Sequence, residues 1–351
     1  MGGVIEHFDL GGGYRVSRII KGGWQLSAGH SEGVSPDPVG DMLAFARRGI
    51  DTFDCADIYT GVEALIGEFI ARNRAADRPV AVKVHTKCVP DDDALARLRR
   101  EDVERIVDRS LRRLGLERLD MVQFHWWNTE VPGYLEAAGW LRELQQAGKI
   151  DRLSLTNFNT RSTREILAAG IPLATTQVQY SLLDSRPEKS LAGLCAAHGM
   201  HLLCYGTLAG GFLSDRWLGA TDPLAESSTL ENRSLTKYRL IIEETGGWEL
   251  FQSLLEALAA IAGRHGVSIA SVASRWVLEQ PQVAAVIIGA RNTRHLERHA
   301  EPFRFRLSAR DRREIEALRG EMAVPPGDVF DLERDRTGRH GRIMKYNLNA
   351  G

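Results

Sequence analysis

The chain has 351 residues, 43 % of them hydrophobic and 26 % charged, an ordinary globular composition with ample material for a large core. A formal net charge of -1 excludes an overall basic field for nucleic acid, and mixed runs such as RLRREDVER read as solvated helix faces. No window approaches the roughly 18 uncharged apolar residues that a membrane-spanning helix needs.

The start, MGGVIEHFDLGGG, lacks the basic region and apolar stretch of a signal peptide, and lacks the Ser or Thr that a myristoylation site carries at its sixth position. The cluster GGGYR precedes a strand with no helix after it, so it reads as the turn of an N-terminal hairpin within residues 1–16, not as a phosphate loop. Eight apolar runs then follow, each leading into a helical pattern. They are SRIIKGGW (17–24), GIDTFDC (49–55), VAVKVHTK (80–87), LDMVQFHW (119–126), IDRLSLTN (150–157), ATTQVQYS (174–181), MHLLCYG (200–206) and VAAVIIGA (283–290).

Between the runs lie amphipathic segments. EDVERIVDRSLRRLGL places apolar residues at 103, 106, 107, 111 and 114, and PGYLEAAGWLRELQQAGKI ends at Gly148 just before the next strand. Ile166 and Leu167 mark one further helix, and Leu191, Leu194 and Cys195 another. Strands alternating with helices predict a parallel sheet covered on both faces, and eight units predict one closed (β/α)₈ barrel over residues 1–351 rather than an open sheet.

One connection breaks the rhythm: residues 207–247 have weak periodicity and read as a long loop after the seventh barrel strand. Helices resume at ELFQSLLEALAAIAGRHG and SIASVASRWVLEQ. The tail, 321–351, is polar and aperiodic, and reads either as a flap over a substrate pocket or as a strap against a neighbouring subunit. Cys55, Cys88, Cys195 and Cys204 show no metal-type spacing and suit a reducing cytoplasm.

Functional groups in such a barrel stand at the C-terminal ends of the strands. Those ends carry Asp54 with Tyr59, Thr86 with Lys87, His125 with Trp126 and Trp127, Thr156 with Asn157, Gln177 with Gln179, and Tyr205. Lys83 shares its strand face with Lys87, but Lys87 holds the C-terminal position. Asp57 reads as a loop residue or helix cap. A phenol, a cation, a carboxylate and an imidazole on one rim suit protonation of a carbonyl oxygen as it becomes an alkoxide. A cation about 4 Å from a phenolate, at an effective dielectric near 20, stabilises it by on the order of 4 kcal/mol, which predicts a lowered phenol pKa. The adjacent carboxylate softens that effect, and the histidine supplies a neutral N–H to the substrate oxygen.

The strings DTFDCADIY, VHTKC, LDMVQFHWW, LSLTNF, TQVQYSLLD and VIIGARN, in this order, resemble the signatures of the aldo-keto reductase superfamily between about residues 17 and 300. The resemblance implies a (β/α)₈ TIM barrel that binds a nicotinamide cofactor without a Rossmann fold and interconverts aldehydes or ketones with alcohols. It implies Tyr59 as the general acid, Lys87 and Asp54 as its tuners and His125 as the carbonyl-orienting group. For the cofactor it implies Thr156, Asn157 and Gln177 at the nicotinamide carboxamide and Tyr205 stacked on the ring. Gly206, Leu208, Gly210 and Leu213 then cradle the pyrophosphate, and Gly289, Arg291 and His295 hold the adenosine phosphate. Gly22, Gly23 and Trp24 join the cofactor set, and Trp24, Trp126 and Trp127 line the substrate mouth, with Trp217 a further candidate.

Relatives often carry Gln and then Glu-Asn where this chain has His295, Arg298 and His299. The basic set Arg291, Arg294 and Arg298 suits a 2'-phosphate and predicts NADP(H) over NAD(H). Arg298 and His299 read equally well as solvated surface. A metal-dependent hydrolase is disfavoured because His198, His201, His295 and His299, in HGMH and RHLERH, sit away from the barrel strands' C-terminal ends. A cofactor-binding redox sensor with little turnover is the alternative. The partners expected are a small carbonyl or alcohol substrate, with no nucleic acid and no membrane; no metal is expected.

Overall fold

A computed structural model describes residues 3–28, 33–223 and 230–348. Residues 1–2 of the expected hairpin segment, 224–229 of the expected long loop and 349–351 of the tail lie outside the described residues. Strands β1 (His7–Asp9) and β2 (Arg15–Ser17) form the antiparallel hairpin. Its turn uses Gly11, Gly12 and Gly13, all at positive φ, where a side chain is strained.

The eight expected strands all form and close into one parallel barrel. They are β3 (Ile19–Gly22), β4 (Thr52–Asp54), β5 (Lys83–Cys88), β6 (Leu119–Phe124), β7 (Ile150–Thr156), β8 (Thr175–Gln179), β9 (His201–Tyr205) and β10 (Val283–Gly289). Each pairs with the next in sequence, and β10 closes on β3 with Val286 opposite Ile19. Around them run α1 (Pro38–Arg47), α2 (Val62–Arg74), α3 (Arg100–Leu114), α4 (Tyr134–Gln146), α5 (Thr160–Ala168), α6 (Arg186–Lys189) and α7 (Leu191–Ala197). After β9 come α8 (Arg233–Glu244), α9 (Gly247–His265) and α10 (Ile269–Leu278), and after β10 α11 (Ala309–Glu321) and α12 (Asp331–Arg334). α3 shows why such segments are helices: Val103, Val107 and Leu114 bury one stripe against the barrel, and Gly115 ends the helix in the left-handed region.

The barrel interior is graded. Near the hairpin it is apolar, with Tyr14 and Val16 packed on Ile20, Met121, Leu203 and Ala285. Toward the other end the inward positions become Asp54, Lys87, Gln123 and Gln177, all buried. Along β5 the alternation sets Lys83 above the Tyr14 ring, the amine 4.9 Å from its centroid, and bonds it to Asp120 at 2.8 Å. Lys87 lies at the opposite end, where β4 delivers Asp54.

Two segments differ from expectation. Residues 233–244 of the expected long loop are helix α8, started by the Asn232 side chain, which accepts from the Leu235 amide, and buried through Tyr238, Leu240, Ile241 and Ile242. Trp217, a candidate for the substrate mouth, packs instead on Phe212 and Trp248, with ring centroids 4.7 and 5.9 Å away. The tail folds onto its own barrel rim. Glu333 of α12 is wholly buried between Arg186 (3.2 Å) and Lys237 (3.0 Å), while His340 reaches Glu244 at 2.8 Å and Arg339 reaches Glu243 at 2.9 Å.

Burial raises the Glu333 carboxyl, but Lys237 and Arg186 overcome it and hold the group well below the ordinary Glu range. Its contribution to stability is therefore complete above the unfolded Glu pKa and is lost as pH falls through the depressed folded value. Glu333→Ala leaves Lys237 without its carboxylate and Arg186 with Asp184 alone, and should cost about 3 kcal/mol. The check is the urea midpoint together with protease cleavage of the tail; an unchanged midpoint and cleavage pattern would contradict this placement.

Candidate active site

β4 ends at Asp54, and the next seven residues turn back over the rim before α2 begins behind Gly61 at φ 82°. Lys87 Nζ donates to Asp54 Oδ2 at 2.7 Å and to the Cys55 carbonyl at 2.8 Å. The second carboxylate oxygen, Oδ1, accepts from Gln123 Nε2 at 2.7 Å and from Gln177 Nε2 at 2.6 Å. A buried ion pair is tolerable when its remaining hydrogen-bonding capacity is satisfied, and these two amides do that for the carboxylate.

Tyr59 stands beside the pair, with Lys87 Nζ 5.3 Å from its ring centroid. Its loop is fastened from behind. Arg113 Nη1 donates to the Asp57 carbonyl at 3.0 Å and to Glu63 Oε2 at 3.3 Å, and Thr86 donates to Glu63 Oε1 at 2.6 Å. Asp57 is thus more than a loop cap: its carboxylate is buried, pairs with Arg109 at 3.5 Å and accepts from the Val89 amide at 3.4 Å. Burial, with the Glu63 charge next, holds that carboxyl well above its usual range.

The expected lowering of the Tyr59 pKa is reversed. Burial, then the charges of Asp54, Cys55 and Asp57, holds the phenol well above its ordinary value. The physical reason is that burial penalises the phenolate first, and Lys87, paired with Asp54 at 2.7 Å, does not offset it. Tyr59 is therefore a neutral phenol with its proton in place.

His125 is also neutral, pushed down to about 3 by burial and by the Arg334 cation. Its Nδ1 lies 3.0 Å from the Thr156 carbonyl, which can only accept, so Nδ1 carries the proton. Nε2, buried with no partner among the described residues, consequently presents a lone pair. The imidazole is neutral as expected, but its N–H is committed to the backbone and the atom left over is an acceptor. Trp127 stands edge-on to this ring at 4.4 Å and Phe330, from the tail, at 5.5 Å.

The remaining residues divide. Trp24 is at the rim, its ring 4.8 Å from that of Tyr59, whereas Trp126 is fully buried, donates to the Val131 carbonyl at 3.0 Å and packs on Phe124, so it belongs to the core. Gly22 and Gly23 have a packing reason of their own: a Cβ on Gly23 would lie 2.8 Å from the Asp54 carbonyl oxygen, and one on Gly22 3.1 Å from Ile287. Gln177 has its amide nitrogen engaged by Asp54 and Gln123 (2.8 Å), not facing the rim freely. Asn157, at φ 62°, accepts from the Tyr205 hydroxyl at 2.9 Å.

Gly206 and Gly210 both lie at φ 68°, and a Cβ on either would strike Tyr238 of α8, at 2.6 and 2.8 Å. Lys237 Nζ is 5.3 Å from the Tyr205 ring centroid, so α8 roofs this stretch. Leu213 is buried and Leu208 half-buried. Gly289 abuts the Gln25 side chain, Arg291 pairs with Glu231 at 2.9 Å, and His295 is exposed. Sequence reasoning missed Glu63, Arg113, Gln123 and Arg334. Arg109 and Arg113, four apart on α3, carried a usable signal of a shared helix face; the tail carried none.

A parallel barrel with a neutral phenol, a screened ammonium and a neutral imidazole on one rim is an arrangement able to donate and accept protons. The chain's own relationships agree: it belongs to the aldo/keto reductase family, whose sequence profile matches residues 18–319. It is 26 % identical over 325 residues to aldo-keto reductase YhdN of Bacillus subtilis, covering 91 % of this chain and 95 % of that protein. The glycerol dehydrogenase AKR11B4 of Gluconobacter oxydans superposes with a TM-score of 0.74 at 26 % identity, over 92 % of this chain and 97 % of that one. An aldo/keto reductase from Klebsiella pneumoniae, solved with NADP and acetate, shares the fold with a TM-score of 0.67 at 22 % identity, over 93 % and 98 % of the two chains. Among the described residues no helix is long and apolar enough to cross a membrane.

The His125 assignment has a direct spectroscopic consequence. With its folded value near 3, its ring-carbon proton resonance should not move between about pH 5 and 9 in an NMR titration. A transition near the ordinary histidine value would show that the ring is open to solvent and protonable.

Proposed function

We propose that the chain interconverts a carbonyl and an alcohol with NADP(H), Tyr59 moving the proton. The observation that supports this best is the Asp54–Lys87 pair at 2.7 Å beside a protonated, half-buried Tyr59. A bound nicotinamide supplies or accepts the hydride. Tyr59 gives its proton to the carbonyl oxygen as negative charge grows there, and Lys87 then faces the phenolate left behind. Asp54, held by Gln123 and Gln177, keeps Lys87 charged and fixed. His125 Nε2 carries a lone pair, which accepts a hydrogen bond from the hydroxyl of the bound alcohol and so orients its oxygen. The proton itself passes between that oxygen and Tyr59.

The family positions for the cofactor fit this chain's backbone. Gly206, Ala209, Gly210 and Gly211 all lie at positive φ, which keeps this turn tight and bare of side chains where the pyrophosphate would approach. Thr156, Asn157, Gln177 and Tyr205 would hold the nicotinamide, Leu208 and Leu213 would flank the cradle, and Gly289, Arg291 and His295 would hold the adenosine phosphate. Tyr238 and Lys237 must withdraw for the dinucleotide to seat. Arg291 beside the exposed Arg294 and Arg298 supports NADP(H) over NAD(H). Four free, buried cysteines support a cytoplasmic setting.

A redox sensor that binds the nucleotide and turns over little is the second reading. The roof of α8 and tail over the rim favours it.

Tyr59→Phe separates the proton role from binding. Carbonyl reduction should fall by about 10²–10⁴ while NADPH affinity stays within error. Wild-type rates in this variant would remove Tyr59 as the acid; tight nucleotide binding by a wild type that consumes no carbonyl would favour the sensor.

A further inference from the structure

The tail brings a cation to the rim that the chemistry above does not use. Arg334, the last residue of α12, donates from Nη2 to the Asn157 carbonyl at 2.6 Å and to the Trp126 carbonyl at 3.2 Å, which fastens the tail to the ends of β6 and β7. Its Nε and Nη1 are buried and have no partner among the described residues. The guanidinium carbon lies 5.2 Å from the centroid of the Phe330 ring, on which His125 stands edge-on at 5.5 Å. Arg334 is therefore a neighbour of the catalytic imidazole, and its charge is the second cause, after burial, of that ring's low pKa.

The acidic groups nearby are already engaged. Glu333 is held by Arg186 and Lys237. Asp328 accepts from the Thr160 and Val329 amides, and Asp331 from the Asp328 amide and the Asn159 side chain. No carboxylate among the described residues stands within ion-pair distance of Arg334. A buried guanidinium without a counter-ion is costly, and burial pushes this one down to about 10 although Asp331, Glu333, Tyr205 and Asp328 oppose the shift. The Trp127 Nε1–H, on the ring that abuts His125, is likewise buried and unpartnered. Three nitrogen donors thus look for acceptors beside the atoms that handle the carbonyl.

We infer that the preferred substrate carries a carboxylate: an oxo acid, or the corresponding hydroxy acid, whose carboxylate accepts a hydrogen bond from a free N–H of Arg334, on Nε or Nη1, while its carbonyl oxygen meets Tyr59. This rests on the carbonyl–alcohol reading and names the substrate class within it. A charge-assisted hydrogen bond from a guanidinium to a carboxylate is roughly twice as strong as one between neutral groups, an advantage that a neutral carbonyl compound lacks. The carboxylate is unchanged by the reaction; it supplies position and the missing counter-charge. The bland alternative is that Arg334 only fastens the tail through Nη2.

The test compares ortho-, meta- and para-carboxybenzaldehyde with the three nitrobenzaldehydes, neutral isosteres that scan the distance between carbonyl and acid. The wild type should favour at least one carboxylate isomer over its nitro partner by about tenfold or more in kcat/KM, mainly through KM. Arg334→Gln should bring that ratio toward unity, and Arg334→Lys should restore part of it. A fastener alone would lower both members of each pair in proportion and leave the ratio intact, and that result, or no preference in any isomer, overturns the inference. Benzoate and benzamide titrated against tryptophan fluorescence give a readout free of turnover. Benzoate binding that is lost in Arg334→Gln, in a protein that reduces none of the aldehydes, would uphold the anion site while sinking the reductase reading. Absence of benzoate binding would overturn the anion site itself.

Discussion

Lys87 and Asp54 meet at 2.7 Å inside the barrel, nearly shut off from water, and the rim is organised around that contact. Two charges so placed are stable only if their own remaining lone pairs and protons find partners. The barrel supplies those partners from three directions: Cys55 from the loop after β4, Gln123 from β6 and Gln177 from β8. Parallel closure is what brings these strand ends to one level. A phenol beside a naked ammonium would ionise readily, whereas a phenol beside a neutralised one keeps its proton until a stronger demand arises.

In the proposed reaction that demand is the negative charge growing on a substrate oxygen, and beside the Lys87–Asp54 pair the site keeps Tyr59 and His125 neutral at rest. His125 stays unprotonated because burial and Arg334 both oppose a second charge. Its tautomer follows from the Thr156 carbonyl, a backbone atom that cannot donate. Behind Tyr59 the Glu63–Thr86–Arg113 bonds tie the loop to β5 and α3, so the phenol's position depends on residues that never face the rim. α8 and the tail then close the site from outside, Tyr238 over the glycines of the 206–210 turn and Phe330 over His125.

The eight strands and the four rim residues were legible because each depends on local pattern: an apolar run of strand length, then a polar residue at its end. The hairpin was legible from three adjacent glycines. Helix α8 was hidden because its apolar residues come late, at 238 and 240–242, after a Gly- and Ser-rich stretch that dominates any window. The tail's path was unreadable, since Glu333 is fixed by Arg186 and Lys237, both distant in sequence. Trp126 illustrates the same limit, for neighbouring Trp126 and Trp127 take opposite fates that only the rim geometry separates. The direction of the Tyr59 shift depended on how deeply the phenol is buried and how closely Asp54 pairs with Lys87, matters of ångströms and not of motif.

The central claim is that this rim, with Trp24 4.8 Å from Tyr59 and Trp127 4.4 Å from His125, surrounds a nicotinamide site. Tryptophan fluorescence of the whole chain, titrated side by side with NADPH and NADH, tests it most directly. The account predicts saturable quenching by both, tighter for NADPH. No saturable quenching by either nucleotide would contradict it.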